Sequence, residues 1–282
     1  MAVPVVESYS IGTYAQDGAS CVVTKPTGLA VGNIMCASAL SHIDSGTAPT
    51  ITPPAGWSTY TTYTDETFAK LWIFYKVADS GDAAASNFTF TSDGSTNARI
   101  QVGIARISGA PTALATGSAT GHVTSPTSVS SFSISLDLTY NDVLLLFTVM
   151  GRDGSNTRTF STYTVSGTNP TWTEQADSSN NDSTDTSFAI ATAGIATPRT
   201  LTSIDVTASG SLEDTYMILL AIPGVVSATG TPSLHSASPT FFDATYSAGG
   251  TGSPALHAAS PSFPSVTGSA IQPTVWTTTT KA

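Results

Sequence analysis

A chain of 282 residues has room for one large or two ordinary domains. Only 10% of it is charged, against ~25% in ordinary soluble domains, and Ser and Thr, about 30% of the residues, supply the polarity instead. The formal net charge of -10, with 9 Lys and Arg, repels phosphate backbones and anionic lipid surfaces, which argues against nucleic-acid binding and membrane docking.

The start of the chain, Met1 to Val6, lacks the basic stretch and apolar core of a secretory signal, so folding in a cytoplasm is expected. Cys21 and Cys36 flank the turn region Lys25 to Gly32. Two cysteines make no disulfide framework. They would approach cross-strand register if the flanking strands paired, but a reducing compartment favours free, packed thiols. Turn clusters then punctuate the chain at Lys25-Pro26-Thr27-Gly28, Pro53-Pro54-Ala55-Gly56, Ser92-Asp93-Gly94-Ser95 and Gly151-Arg152-Asp153-Gly154. Between them the period is two. Leu71, Ile73, Tyr75 and Val77 alternate with Trp72, Phe74 and Lys76; Phe88 and Phe90 alternate with Thr. Phe132, Ile134, Leu136 and Leu138 alternate with Ser and Asp, the pattern of a strand with one wet face. No window carries an amphipathic helix. The apolar runs Val143 to Phe147 and Met217 to Ile222 fall far short of the ~18 residues of a membrane span. The expected fold is all-β, an antiparallel sandwich or jelly roll.

The strand plan is drawn twice. Arg99 to Gly109 aligns with Asp214 to Gly224, an offset of about 115 residues, and Ala55-Gly56-Trp57 meets Pro170-Thr171-Trp172 at the same offset. Leu29 to Leu40 meets Leu138 to Val149 at a slightly smaller offset, with a longer loop between Gly151 and Pro170 making up the difference. Residues 1–110 and 111–226 therefore read as two related sandwich units. Residues 227–282 are rich in Pro, Gly, Ser and Thr and read as an extended arm. Inside it, Pro232 to Phe241 returns almost residue for residue as Pro254 to Phe263. Leu234, Phe241, Phe242, Leu256, Phe263 and Trp276 are too apolar for an indifferent spacer; they are the expected anchors of the arm in grooves of a neighbouring subunit.

Catalytic and metal-binding patterns are sparse. His42, His122, His235 and His257 sit in unrelated segments, and no His-x-x-x-His or Cys-x-x-Cys pair offers a zinc spacing. There is no Gly-x-Ser-x-Gly elbow and no phosphate-cradling Gly-rich loop with a Lys. Asp65, Glu66, Glu174 and Glu213 are carboxylates of the kind glycoside hydrolysis needs in pairs, but nothing in their spacing pairs them. Asp177 to Asp185 clusters oxygen side chains. Asp177, Asn181, Asp182 and Asp185 form a weak calcium candidate that lacks the Gly and terminal Glu of an EF-hand loop and otherwise reads as a solvated turn. Trp57, Trp72 and Trp172 could stack sugars, but their strand placement favours the core. No enzyme activity and no cofactor are expected.

Pro53-Pro54-Ala55-Gly56-Trp57, followed by Leu71-Trp72-Ile73-Phe74-Tyr75-Lys76-Val77-Ala78 and Asn87-Phe88-Thr89-Phe90, resembles a pattern in phage and prophage tail or virion proteins. The resemblance covers residues 53–109 well and 28–225 loosely, and it brings no catalytic residue with it. It implies a non-enzymatic virion protein, a capsid decoration or tail-fibre component assembled in the host cytoplasm. Its implied partners are copies of itself or a major capsid or tail protein. The alternative is a carbohydrate-binding module that attaches to a host-surface glycan.

Overall fold

A computed structural model describes residues 3–224 apart from 17–19, 44, 65–67, 95–97, 111–116, 125, 154–155 and 181–184. The arm anchors Leu234, Phe241, Phe242, Leu256, Phe263 and Trp276 lie outside the described residues. The first half holds strands β1 (Val5–Ile11), β2 (Ala15–Gln16), β3 (Ser20–Thr24), β4 (Ile34–His42), β5 (Ile51–Thr52), β6 (Ser58–Thr64), β7 (Ala69–Val77), β8 (Asn87–Ser92) and β9 (Arg99–Ser108). The second holds β10 (Ser118–Thr124), β11 (Val129–Leu138), β12 (Val143–Asp153), β13 (Phe160–Val165), β14 (Trp172–Asn180), β15 (Asp185–Ile195), β16 (Arg199–Ala208) and β17 (Asp214–Pro223). Against the expectation of no helix, one turn, α1 (Ser80–Ala84), joins β7 to β8. A capping box closes it: Asp79 accepts from the Asp82 amide and Asp82 from the Asp79 amide, both at 2.9 Å. Lys76 bridges both carboxylates.

Each half is an antiparallel sandwich of one large and one small sheet. The large sheets run β1-β9-β4-β7-β6, with β2 also on β9, and β10-β17-β12-β15-β14; the small ones run β3-β8-β5 and β11-β16-β13. The two lists are the same list. In each half the first strand lies beside the last, and the strands that follow nest inside that pair.

Register sharpens the match. Gly103 and Ile218, equivalent at the 115-residue offset, pair with Ser38 and Thr148. Leu40 is then equivalent to Met150, not to Val149 as the sequence alignment had it. A slip of one residue turns a strand over, and Leu40 and Met150 do face the same layer whereas Val149 faces the opposite one. Trp57 immediately precedes β6, and Trp172 opens β14 at the equivalent position. Both of these edge strands carry a bulge at the same point, between Thr59 and Thr61 and between Glu174 and Ala176.

The halves share one compact unit, Met1–Thr231. They stack as four layers, with the two large sheets face to face in the middle. One outer core sets Met35, Ala37, Trp72, Phe74 and Val102 against Val23, Trp57, Phe88 and Phe90. The other sets Leu145, Phe147, Val149, Ala191 and Leu219 against Phe132, Tyr163, Leu201 and Ile204. The central layer joins Ile34, Cys36, Leu40 and Ile73 to Leu144, Leu146, Ile190, Ile218 and Leu220. Strands β4, β12 and β17 are therefore buried on both faces, which is why β12 and β17 carry the apolar runs Val143 to Phe147 and Met217 to Ile222. The same burial overrides the alternation read at Leu71 to Phe74.

The central contact has the form of a two-fold interface. Ser38 and Thr148, one and the same position in the two halves, share a buried hydrogen bond of 2.7 Å. Gln101 donates to Ser178 at 2.8 Å. The equivalent pair, Tyr216 and Tyr63, brings its ring centroids to 5.8 Å. Residue i meeting j while j meets i is the signature of an isologous contact, here made within one chain.

The cysteines stay apart. β3 pairs with β8, whereas β4 pairs with β7 and β9 in another sheet. Cys21 faces an outer core and Cys36 the central layer, both as buried free thiols.

Candidate functional site

The two halves differ most where β13 and β14 meet. β13 is an edge of the small sheet and β14 an edge of the large one. Instead of a backbone ladder, side chains lace the two edges together. Phe160 N–H donates to Asp177 Oδ2 at 2.8 Å, and Tyr163 Oη donates to Glu174 Oε2 at 2.8 Å. Asn169, in the connecting loop, accepts from Val165 N–H at 3.1 Å and from the indole of Trp172 at 3.2 Å, and donates to the Tyr163 carbonyl at 3.3 Å.

Above this lacing lies a groove of about 370 Å³, lined by Ser161, Thr162, Tyr163, Asn169, Pro170, Trp172 and Glu174. Trp172, partly buried, forms its aromatic floor; the buried Tyr163 ring lies beneath it with centroids 5.8 Å apart, and Phe147 backs them at 5.9 and 6.3 Å. Thr162 sits at φ 48°, in a register shift between Ser161 and Tyr163. A β-branched residue in that region is a strained outlier. The groove is acidic. Burial, with Glu174 nearby, pushes the Asp177 carboxyl up to about 6 against the opposing amide bond from Phe160. Burial and the bond to Glu174 raise the Tyr163 phenol further still. Asp177 Oδ1 is buried with no hydrogen-bond partner.

In the first half the same place is shut. β5 has two residues where β13 has six. Trp57 turns inward, 9% exposed, and packs edge-on against Phe88 and Phe90 at 5.9 and 5.6 Å. Trp172, at the equivalent position, is only partly buried.

The calcium candidate lies partly outside the described residues. Asp177 lies within β14, its Oδ2 taken by the Phe160 amide. Asn181 and Asp182 lie outside the described residues, and Asp185 opens β15. Among the described residues no three His, Cys, Asp or Glu side chains cluster to hold a metal. The tryptophans form no common platform, since Trp57 and Trp72 belong to one outer core and Trp172 to the other. Of the carboxylates, Glu213 pairs with Arg152 at 3.2 Å, Glu174 lines the groove, and Asp65 and Glu66 are outside the described residues. His122 meets Asp214 at 2.9 Å and stacks on Tyr216.

Tyr163 and Asn169 were not singled out by the sequence. The one signal for them was the longer connection between Gly151 and Pro170, which marks where the second copy departs from the first. A further cavity of about 420 Å³ is lined by Asp137, Leu138, Thr139, Tyr140 and Pro223. Comparison with protein-family models, with curated proteins and with solved structures finds no match for this chain.

Proposed function

We propose that the chain is a non-enzymatic structural protein of a virus particle, a capsid decoration or fibre component that packs against copies of itself or against a major capsid or tail protein. The observation that carries this reading is the nested strand order of each half. We read it as jelly-roll wrapping, an architecture that recurs in viral capsid and lectin domains. That is an argument from fold, and it gains weight from the sequence resemblance to virion proteins rather than from any site. The resembling motif also has a structural job. Pro53 to Trp57 forms the turn whose indole closes an outer core, and Lys76 of the Tyr-Lys-Val-Ala stretch anchors α1. A surface made polar by Ser and Thr depends little on screened ion pairs, which suits exposure to changing salt.

In this reading residues 227–282 are the arm that binds the neighbour. Light scattering and negative-stain imaging of the full chain test it. An assembly of defined copy number is expected, and truncation after Val226 should abolish that assembly while leaving a cooperative melt. A full chain that remains monomeric, or one that turns over glycans, esters or peptides with a rate lost in Glu174→Gln, overturns the proposal. The groove between β13 and β14 favours a second reading, a carbohydrate-recognising attachment module.

A further inference from the structure

We infer that the β13–β14 groove is a binding subsite for a neutral glycan, seated on Trp172 and held by Glu174 and Asn169. The inference gives the second reading its residues and does not depend on the structural role.

Three observations converge on it. First, the position is duplicated, and only one copy is open. Trp57 seals the first half, whereas a longer β13 and a partly buried Trp172 leave the second half with a lined groove. Second, the groove's wall holds Thr162 in the left-handed region, a strained geometry kept beside the aromatic floor. Third, the groups there suit a pyranose. Such a ring offers an apolar C–H face and a rim of hydroxyls. The partly buried Trp172 ring, steadied against the buried Tyr163, offers an apolar surface for the first. For the second, the exposed Glu174 carboxylate has acceptor capacity beyond its bond to Tyr163, and the Asn169 amide has a second N–H beyond its bond to the Tyr163 carbonyl. The volume of about 370 Å³ is at the small end of ligand pockets, ~300–1,000 Å³. One or two sugar rings would occupy it.

The same features select the ligand class. Among the described residues no Lys or Arg lines the groove, and Glu174 and the neighbouring Asp177 make it acidic, so uronic acids, sialic acids and phosphates are repelled. An extended peptide added to either edge would need a regular ladder. Both edges are broken by bulges here, at Thr162 in β13 and at Gln175 in β14.

The test uses the full chain with trisaccharides of glucose, galactose and N-acetylglucosamine. The readouts are calorimetry and tryptophan fluorescence. Saturable binding of at least one neutral trisaccharide is expected, with none for a sialylated one. Glu174→Gln, at an exposed side chain, should weaken binding about tenfold without moving the melt. Trp172→Ala should abolish binding. Its melt is followed in parallel, and Tyr163→Phe, which keeps the ring and loses the bond to Glu174, separates stacking from folding. No saturable binding to any neutral trisaccharide overturns the inference. So does binding indifferent to Glu174→Gln and Trp172→Ala, or binding of an extended peptide in their place. Assembly is measured on the same variants: unchanged assembly with lost binding leaves the structural role standing, and lost assembly with intact binding sinks that role alone.

Discussion

Ser38 and Thr148 put two hydroxyls into a largely apolar layer, each the other's hydrogen-bond partner at 2.7 Å. Removing one leaves the other buried and unpaired. Ser38→Ala should cost ~1–3 kcal/mol, and adding Thr148→Val should restore most of that loss. Chemical denaturation of the two single variants and the double closes the cycle; additive costs would mean that the bond carries no coupling. Asp177 gives a pH-dependent counterpart. Burial lifts its folded pKa to about 6, above the 3.8 of a free side chain. Its contribution to stability is thus fully present below the free value and is lost as the pH rises through about 6. Asp177→Asn keeps an acceptor for the Phe160 amide and should stabilise the protein by on the order of 1 kcal/mol above that range, the shift being discounted for partial exposure, and by little at about pH 4. Equal effects at both pH values in thermal melts would refute this. Neither pairing was legible beforehand: Ser38 carries no signal in the sequence, and Asp177 reads there as a weak calcium candidate rather than as the partner of an amide on another strand. The partner of Ser38 lies across a sheet-to-sheet contact and that of Asp177 across two unpaired edges, and periodicity reports the face of a strand, not what that face meets.

At the scale of single strands the sequence was most readable where one face is wet. β11 alternates in the structure as it does in the sequence, because one face meets the outer core and the other solvent. β12 and β17 gave only apolar runs and β4 a mixed run of small and apolar residues, since a strand buried on both faces has no alternation to show. α1 has five residues, too few for a 3.6-residue period to appear, although its capping box stands in the sequence as Asp79 and Asp82. The one-residue error in aligning β4 with β12 has the same origin, because two strands without alternation can slide past each other until a sheet fixes their faces. The cysteines turn this layering into an experiment. Burial raises the Cys21 thiol to about 11 and the Cys36 thiol to about 12. A thiol reagent near neutral pH should find neither in the native protein and both in denaturant. Cys36 reports on the central layer and Cys21 on an outer core. Labelling of Cys36 ahead of Cys21 at intermediate denaturant would show the halves separating before either opens.

For the whole molecule, the duplication was visible in the sequence, but the way the copies meet was not. Low identity preserved the offset at Trp57 and Trp172, while the isologous contact depends on which faces of β4, β9, β12 and β17 turn toward each other. Because that contact is a core and not a surface, the two halves should melt in one transition by calorimetry; two separate transitions would contradict it. For the same reason a chain ending near residue 113 would expose Ile34, Cys36, Leu40 and Ile73 and should dimerise through them or precipitate. A soluble monomer by light scattering would count against the interface. The sealing of the first half by Trp57 has a consequence of a different kind, for valence. A symmetric dimer of such sandwiches would present two grooves, and this chain presents one. On the glycan-binding proposal it is monovalent at that face, so a firm grip on a repetitive surface would come from arraying copies, each adding effective concentration rather than new contacts.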